Sequence, residues 1–310
     1  MASDLSLSKT VSVVALVVCF HPDEDLLLAL IRQLAPQVSK LWIMNNGGIS
    51  GNLEGLLLNY PNLRIHTFDS NVGIAAALNY GFSLAAMDDA KFVVTFDQDS
   101  QPTGNHVEVL VATWEALAQR GMQKVGAIGP SFFDDRGGFF QYPFYCAHGL
   151  RVKKIFPANA NGITPVDALI TSGMLIPVHM WQDSLKFRDD LFIEYVDTEW
   201  CFRASAAGYK HFGCFAVSMR HQLSEANASR FLGMIFLKYS PIRRYYYFRN
   251  SLLFVVCAYV PFAYKPRLMF GLAARLLAIP FIDDKPLASL AHALKGLFDG
   301  LFRKGGKLES

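Results

Sequence analysis

Hydrophobic positions along the chain fall in short continuous blocks separated by polar turns. Residues 13–20 (VVALVVCF), 41–44, 63–68 and 92–96 are apolar and rich in β-formers, as expected of strands buried on both faces of a parallel sheet. Between the first two blocks, Leu27, Leu30, Ile31 and Leu34 keep helical spacing up to Pro36, and residues 74–86 are an Ala/Leu-rich helical stretch. Strand–helix alternation through the first hundred residues predicts right-handed βαβ units. A helix over 105–120 and a strand over 125–129 complete this half. Residues 131–164 lose periodicity and predict an inserted loop or hairpin. Residues 166–176 return to strand character, broken at Ser172-Gly173, and 189–203 turn acidic and then helical, with Gly208 as a C′ glycine. Residues 212–219 are again strand-like. From 231 onward aromatic and basic residues mix, followed by an apolar stretch cut by Pro261, Pro266 and Pro280.

Composition narrows the class. At 310 residues and 52% hydrophobic content the chain can bury a large core. A net charge of +3 makes no case for nucleic acid. The five cysteines (Cys19, Cys146, Cys201, Cys214, Cys257) are scattered without metal or redox spacing, which predicts free thiols in a reducing cytosol. The first residues carry no apolar signal core, and no segment approaches the ~18 apolar residues of a membrane span.

The candidate chemistry centres on residues 91–100, KFVVTFDQDS, where a buried strand ends in two aspartates one residue apart. In an open α/β sheet, ligands bind outside the carboxyl ends of the strands. Asp97 and Asp99 can converge there, and their hard oxygens suit Mg²⁺ or Mn²⁺. Alone, the pair also fits a solvated turn. The turns at Phe20-His21-Pro22, Asn45-Asn46 and Asn71-Val72-Gly73 follow other predicted strands, so a parallel sheet sets them on one rim with the aspartates. Asn79, unfavourable in mid-helix, either points to solvent or bonds across that rim. Asp197 and Glu199 stand at a predicted helix start, where the dipole favours acids and where an enclosed carboxylate can act as general base. Arg203 lies four residues after Glu199, the spacing of an i,i+4 pair. His221, just past a strand, is a candidate third metal ligand.

The segments VVALVVCFHP, WIMNNGG, NVGIAAALNYG, FDQDS, TSGMLI, LFIEYVDTEWCFRASAAGY, MRH and RRYYYFRN, in this order, resemble the family 2 inverting glycosyltransferases of the GT-A fold. More narrowly, they are similar to the bacterial rhamnosyltransferase branch. The resemblance implies an α/β GT-A fold over residues 1–230, with a nucleotide-binding half (11–130) and an acceptor half (131–230), and a helical extension over 231–310. It implies a DxD motif at Asp97 and Asp99, with a divalent metal (Mg²⁺ or Mn²⁺) completed by His221, and Asp197 as catalytic base. Donor contacts are implied at His21, Asn45, Asn71, Gly73, Asn79, Asp97, Gln98 and Asp99. Asn45 stands where many relatives carry an aspartate, and His21 where Asn is frequent. Acceptor contacts are implied at Ser172, Gly173, Glu199, Trp200, Arg243 and Arg244.

The implied donor is dTDP-L-rhamnose. The implied acceptor is a glycolipid or lipid-linked saccharide in O-antigen, another surface polysaccharide or rhamnolipid. Arg243, Arg244 and Arg249 among Tyr245, Tyr246, Tyr247 and Phe248 suit phosphate and sugar faces. Arg267 and Arg275 on an otherwise apolar stretch suit a helix lying at the cytoplasmic bilayer surface, or a cap packed on the sheet. Three alternatives differ from this reading: another donor such as UDP-galactose or UDP-N-acetylglucosamine, a nucleotidyltransferase, and a non-catalytic scaffold. A nucleotidyltransferase would carry a Gly-rich basic loop where this chain has FHPDED. A scaffold would not need Asp97, Asp99 and Asp197.

Overall fold

The computed structural model describes residues 11–134, 140–157, 162–220, 229–231 and 234–309. The first half is built as β1 (Val13–Cys19), α1 (Glu24–Leu34), β2 (Lys40–Asn45), α2 (Gly51–Leu57), β3 (Leu63–Thr67), α3 (Gly73–Met87), β4 (Phe92–Asp97), α4 (His106–Gln119) and β5 (Val125–Asp134). Short strands follow: β6 (Phe140–Gln141), the β7–β8 hairpin (Phe144–His148, Arg151–Ile155), β9 (Ile163–Val166) and β10 (Met174–Pro177). Then come α5 (Val178–Gln182), α6 (Val196–Ala206), β11 (Lys210–Arg220) and the β12–β13 pair (Ser229–Phe231, Met234–Phe236). The chain closes with α7 (Pro241–Val255), α8 (Tyr264–Ile282) and α9 (Pro286–Leu301).

The central sheet runs β3-β2-β1-β4-β10-β5-β11-β9, with β6 on β5. β3, β2, β1 and β4 are mutually parallel, while β10 runs antiparallel to both β4 and β5. Alternation along β1 shows why the sheet is buried on both faces. Val13, Ala15 and Val17 pack with Leu27, Leu30 and Ile31 of α1; Val14 and Leu16 pack with Ala75, Leu78 and Phe82 of α3.

The 166–176 stretch, expected as one interrupted strand, is two strands in different places. Ile163–Val166 pairs with β11 at the sheet edge, and Met174–Pro177 inserts between β4 and β5. Two features divide them. The Asp167 carboxylate accepts the Ala147 N–H and the Tyr264 hydroxyl, drawing the chain outward. Gly173 then turns at φ +77°, where an added Cβ would sit 2.8 Å from Pro130. The apolar residues after 250 form helices despite their prolines: Pro266 falls in the first turn of α8 and Pro280 in its last turn, two residues before its end at Ile282.

Candidate active site

Strand register lines up one rim. Val18 pairs with Asp97, Cys19 with Asn45, and Asn45 with Thr67, so the carboxyl ends of four parallel strands stop at one level. β10 is antiparallel, so its entry point arrives at that same edge. Met174 pairs with Thr95, and Thr171-Ser172-Gly173 therefore lie beside Asp97. A cleft of ≈ 550 Å³ opens there, within the range of small-molecule sites. Its walls include Asn46, Asn71, Gly73, Asp97, Asp99 and Asp197.

The aspartate turn is held from beneath. The fully buried Ser172 hydroxyl donates to the Asp97 carboxylate, accepts the Asp97 N–H and bonds the Ser100 hydroxyl at 3.1 Å. Gln98 lines the cleft but spends its amide on the neighbouring strand end. Its Oε1 accepts the Phe20 N–H at 2.7 Å and its Nε2 donates to the Phe20 carbonyl at 3.2 Å. Both donor groups of the Asp97/Asp99 pair are carboxylate oxygens, the chemistry that holds Mg²⁺ or Mn²⁺ while leaving positions for water and phosphate. Among the described residues no three His, Cys, Asp or Glu side chains form a metal-holding group. β11 ends beside this turn, since the Arg220 carbonyl accepts the Gln101 N–H; His221 lies outside the described residues.

Asp197 lines the same cleft from the first turn of α6. One carboxylate oxygen accepts the Thr171 N–H at 3.0 Å and the other the Thr198 N–H at 2.6 Å. Burial pushes this carboxyl above the ordinary aspartate range; the Asp97 charge adds to the push, while the N–H groups of Thr198 and Thr171 oppose it. The segment that carries Asp197 is strained. Phe192, Glu194 and Tyr195 adopt φ of +64°, +61° and +66°, a region side chains rarely enter.

α7 over-determines this geometry. Fully buried Asn250 donates from Nδ2 to the carbonyls of Leu191, Ile193 and Glu194. Arg249 donates from Nη2 to the carbonyls of Asp190 and Leu191, and from Nη1 to that of Gly306. Arg243, one cleft wall, pairs with Glu194 at 2.6 Å. Gly73 joins the two sides: at φ +84° it leaves room for Phe192, whose carbonyl accepts the Ile74 N–H at 2.7 Å, and a Cβ there would fall 2.6 Å from Phe192. Sequence reasoning reads Arg249 only as a cation and gives no role to Asn250, Glu194 or Phe192. The RRYYYFRN segment is the available signal.

Several expected site residues do not face the cleft. Asn79 neither points to solvent nor bonds across the rim, the two alternatives the sequence left open; its amide is saturated by residues 181–189. It donates to the Phe187 carbonyl and to Asp189 and accepts from Trp181 Nε1 and the Phe187 N–H. Glu199 is fully buried behind α6, where it accepts Arg203 through two nitrogens and the Tyr259 hydroxyl. Trp200 is core, with Nε1 donating to the Leu185 carbonyl. Arg244 is buried against Asp283. Asn45 points along the rim, accepting the Gly47 N–H and donating to Thr67, while its neighbour Asn46 reaches the cleft and clasps the Val72 N–H and the Gly73 carbonyl. His21 is exposed at φ +46°, outside the cleft lining.

Residues 15–145 match the family model described as Glycosyl transferase family 2. The dTDP-rhamnosyl transferase RfbF of Shigella flexneri is 27% identical over 292 residues, covering 94% of this chain and 95% of that protein. These matches support a glycosyltransferase that is similar, over residues 15–145, to glycosyl transferase family 2. Solved structures similar to this transferase have the GT-A fold. S. aureus TarS 1-349 in complex with UDP-GlcNAc superposes with a TM-score of 0.55 at 11% identity, covering 93% of this chain and 81% of that one. GalNAc-T7 with UDP, GalNAc and Mn²⁺ gives 0.56 at 11% identity and 85% coverage, and the transferase spans only 55% of that longer chain. Among the described residues, no helix of the transferase is long and apolar enough to cross a membrane.

Proposed function

We propose that the chain is an inverting rhamnosyltransferase that moves L-rhamnose from dTDP-L-rhamnose to a hydroxyl of a lipid-linked saccharide or glycolipid in the assembly of a surface polysaccharide or rhamnolipid. The observation that carries the reading is the convergence of Asp197 and the Asp97/Asp99 pair on one cleft. The donor assignment is supported by the rhamnosyl transferase relative, which aligns over nearly the whole chain.

Asp197, with its raised affinity for a proton, takes the acceptor hydroxyl proton as that oxygen attacks the anomeric carbon. The new C–O bond forms on one face while the bond to the diphosphate oxygen breaks on the other, so the centre inverts in a single displacement. The Thr171 and Thr198 N–H groups hold the carboxylate in place. Asp97 and Asp99 would hold a divalent ion, which when bound neutralises charge on the diphosphate. Asn46, Asn71 and Gly73 form the adjoining wall for the nucleotide. Arg243, paired with Glu194, is a cation on the cleft wall for a phosphate-bearing acceptor.

Calorimetry tests the donor reading: titrate dTDP-rhamnose, UDP-sugars and GDP-sugars in Mg²⁺ and again in EDTA. Selective binding of dTDP-rhamnose that disappears in EDTA is expected. Selective binding of a UDP-sugar would overturn the donor and leave the mechanism standing, whereas equal binding in EDTA would remove the metal from it.

A further inference from the structure

α8 and α9 carry apolar residues on the side that faces away from the protein. Their inner sides are already used, since Leu272 and Ile279 of α8 and Ala293 of α9 pack with Phe248 and Leu252 of α7. On the outer side of α8, Phe270, Leu277 and Phe281 are 68%, 70% and 71% exposed; on α9, Leu287, Leu294 and Phe298 are 84%, 50% and 55% exposed. The spacing is the same in both helices, seven and then four residues, which sets each trio on one stripe. A helix apolar on two sides is ordinarily buried on both, and paired exposed stripes of this kind mark an interaction surface.

Charge identifies the occupant. Between residues 264 and 309 the exposed charged side chains are Arg267, Lys285, Lys295, Arg303, Lys304 and Lys307 against Asp284 and Glu309. Lys307 donates to the Asn71 carbonyl at the cleft and Arg267 stands 5.7 Å from the Tyr145 ring centre, which leaves Lys285, Lys295, Arg303 and Lys304 as the cations of the α8–α9 face. A two-fold pairing of this face with itself would bring that cationic excess onto its own copy, whereas an anionic lipid surface attracts it. Arg275 is not part of this set: it turns inward, 5.1 Å from the Tyr247 ring centre and bonded to the Gly271 carbonyl.

We propose that the outer stripes of α8 and α9 seat the protein on the surface of an anionic phospholipid bilayer, with the side chains inserted at the headgroup boundary and the cations around them on lipid phosphates. This holds whichever sugar the cleft accepts. The surface continues toward the catalytic cleft: Tyr239 lines both that cleft and a smaller hollow at the α8–α9 turn, beside Asp283, Lys285 and Ser289.

The test is co-sedimentation of the full chain with vesicles of phosphatidylcholine alone and with added phosphatidylglycerol. Binding is expected to rise at least about tenfold with phosphatidylglycerol and to fall in high salt. The double variant Phe270→Ser/Leu294→Ser should lose at least about tenfold of that binding while binding nucleotide sugar as wild type does. A Phe298→Trp variant, folded as wild type, should be quenched by brominated lipid beyond wild type. Unchanged vesicle binding by the double variant, or no added quenching of the introduced tryptophan, would overturn the proposal. So would a concentration-dependent dimer in wild type that the same double variant dissolves, because the face would then belong to a second copy.

Discussion

The two walls of the cleft hold their carboxylates by different means. Asp97 ends a regular strand whose neighbours stop at the same level, and the buried Ser172 hydroxyl, from a residue 75 positions away, bonds its carboxylate. Asp197 follows three residues with positive φ, and its approach is held by Arg249 and Asn250 through carbonyls of residues 190–194. On the first wall, position follows from sheet geometry, which the whole core stabilises. On the second, the geometry is locally unfavourable, at ~1–3 kcal/mol for each strained residue, and a few long-range hydrogen bonds offset it. Under the proposed function, the first wall would grip the donor and the second would aim one carboxylate.

The largest separation of the two walls is expected from Asp197→Asn. Removing a general base lowers rate by about 10²–10⁴-fold. Turnover should fall into that range while calorimetric affinity for the donor stays within about twofold of wild type, since the Asp97/Asp99 wall is intact. Full turnover by this variant would remove Asp197 from catalysis. Next comes Asn250→Ala, a change outside the cleft. Three carbonyls lose a common donor, for a stability loss of about 1–3 kcal/mol by chemical denaturation. Displacement of the 192–197 segment should cost on the order of 10²-fold in kcat, again with donor affinity preserved. If kcat held while stability fell, the clamp would serve only the fold.

That contrast also sets what could be read from the chain. The strand blocks, the turns after them and the aspartate pair are local patterns with a clear terminus, and β1 to β4 fall within a residue or two of the expected strands, while β5 runs five residues past the expected end at 129. The clamp joins residues 56–59 positions apart, and no periodicity encodes such a pairing. The same limit explains Glu199. Residues two apart on a helix point about 200° apart, so Asp197 and Glu199 leave α6 on opposite sides; one meets the cleft and the other Arg203 and Tyr259. Asn45 and Asn46 are equally polar in the sequence, and only the turn at Gly47, through the Asn45 side chain, decides that Asn46 faces inward.

Gly73→Ala probes a second junction between the walls, apart from the Thr171-Ser172 step that bonds both carboxylates. A Cβ at φ +84° would crowd the Phe192 ring and carbonyl at 2.6 Å. We expect a smaller loss than at Asn250, roughly tenfold in kcat/KM, because the loop has other anchors. The signature is that KM for donor and kcat worsen together, unlike the two preceding variants. A change confined to KM would mean that Phe192 yields without moving Asp197.

The smallest effect is the dependence on pH, and it bears on the second wall alone. Burial holds the Asp197 pKa above its ordinary value, with Asp97 adding to the shift. A base must be ionised to act, so kcat should fall as pH drops through this raised pKa, earlier than an ordinary aspartate would allow. Stability runs the other way. A carboxyl with a raised folded pKa binds its proton more tightly in the native state, so its contribution is present at low pH and lost as pH rises through the folded value. Asp197→Asn has no such proton to lose. Relative to wild type, the variant's denaturation midpoint should therefore gain as pH rises across the window between the ordinary and raised values, then level off. Parallel profiles for the two proteins across that window would mean that the carboxyl titrates normally and that the second wall does not tune its base.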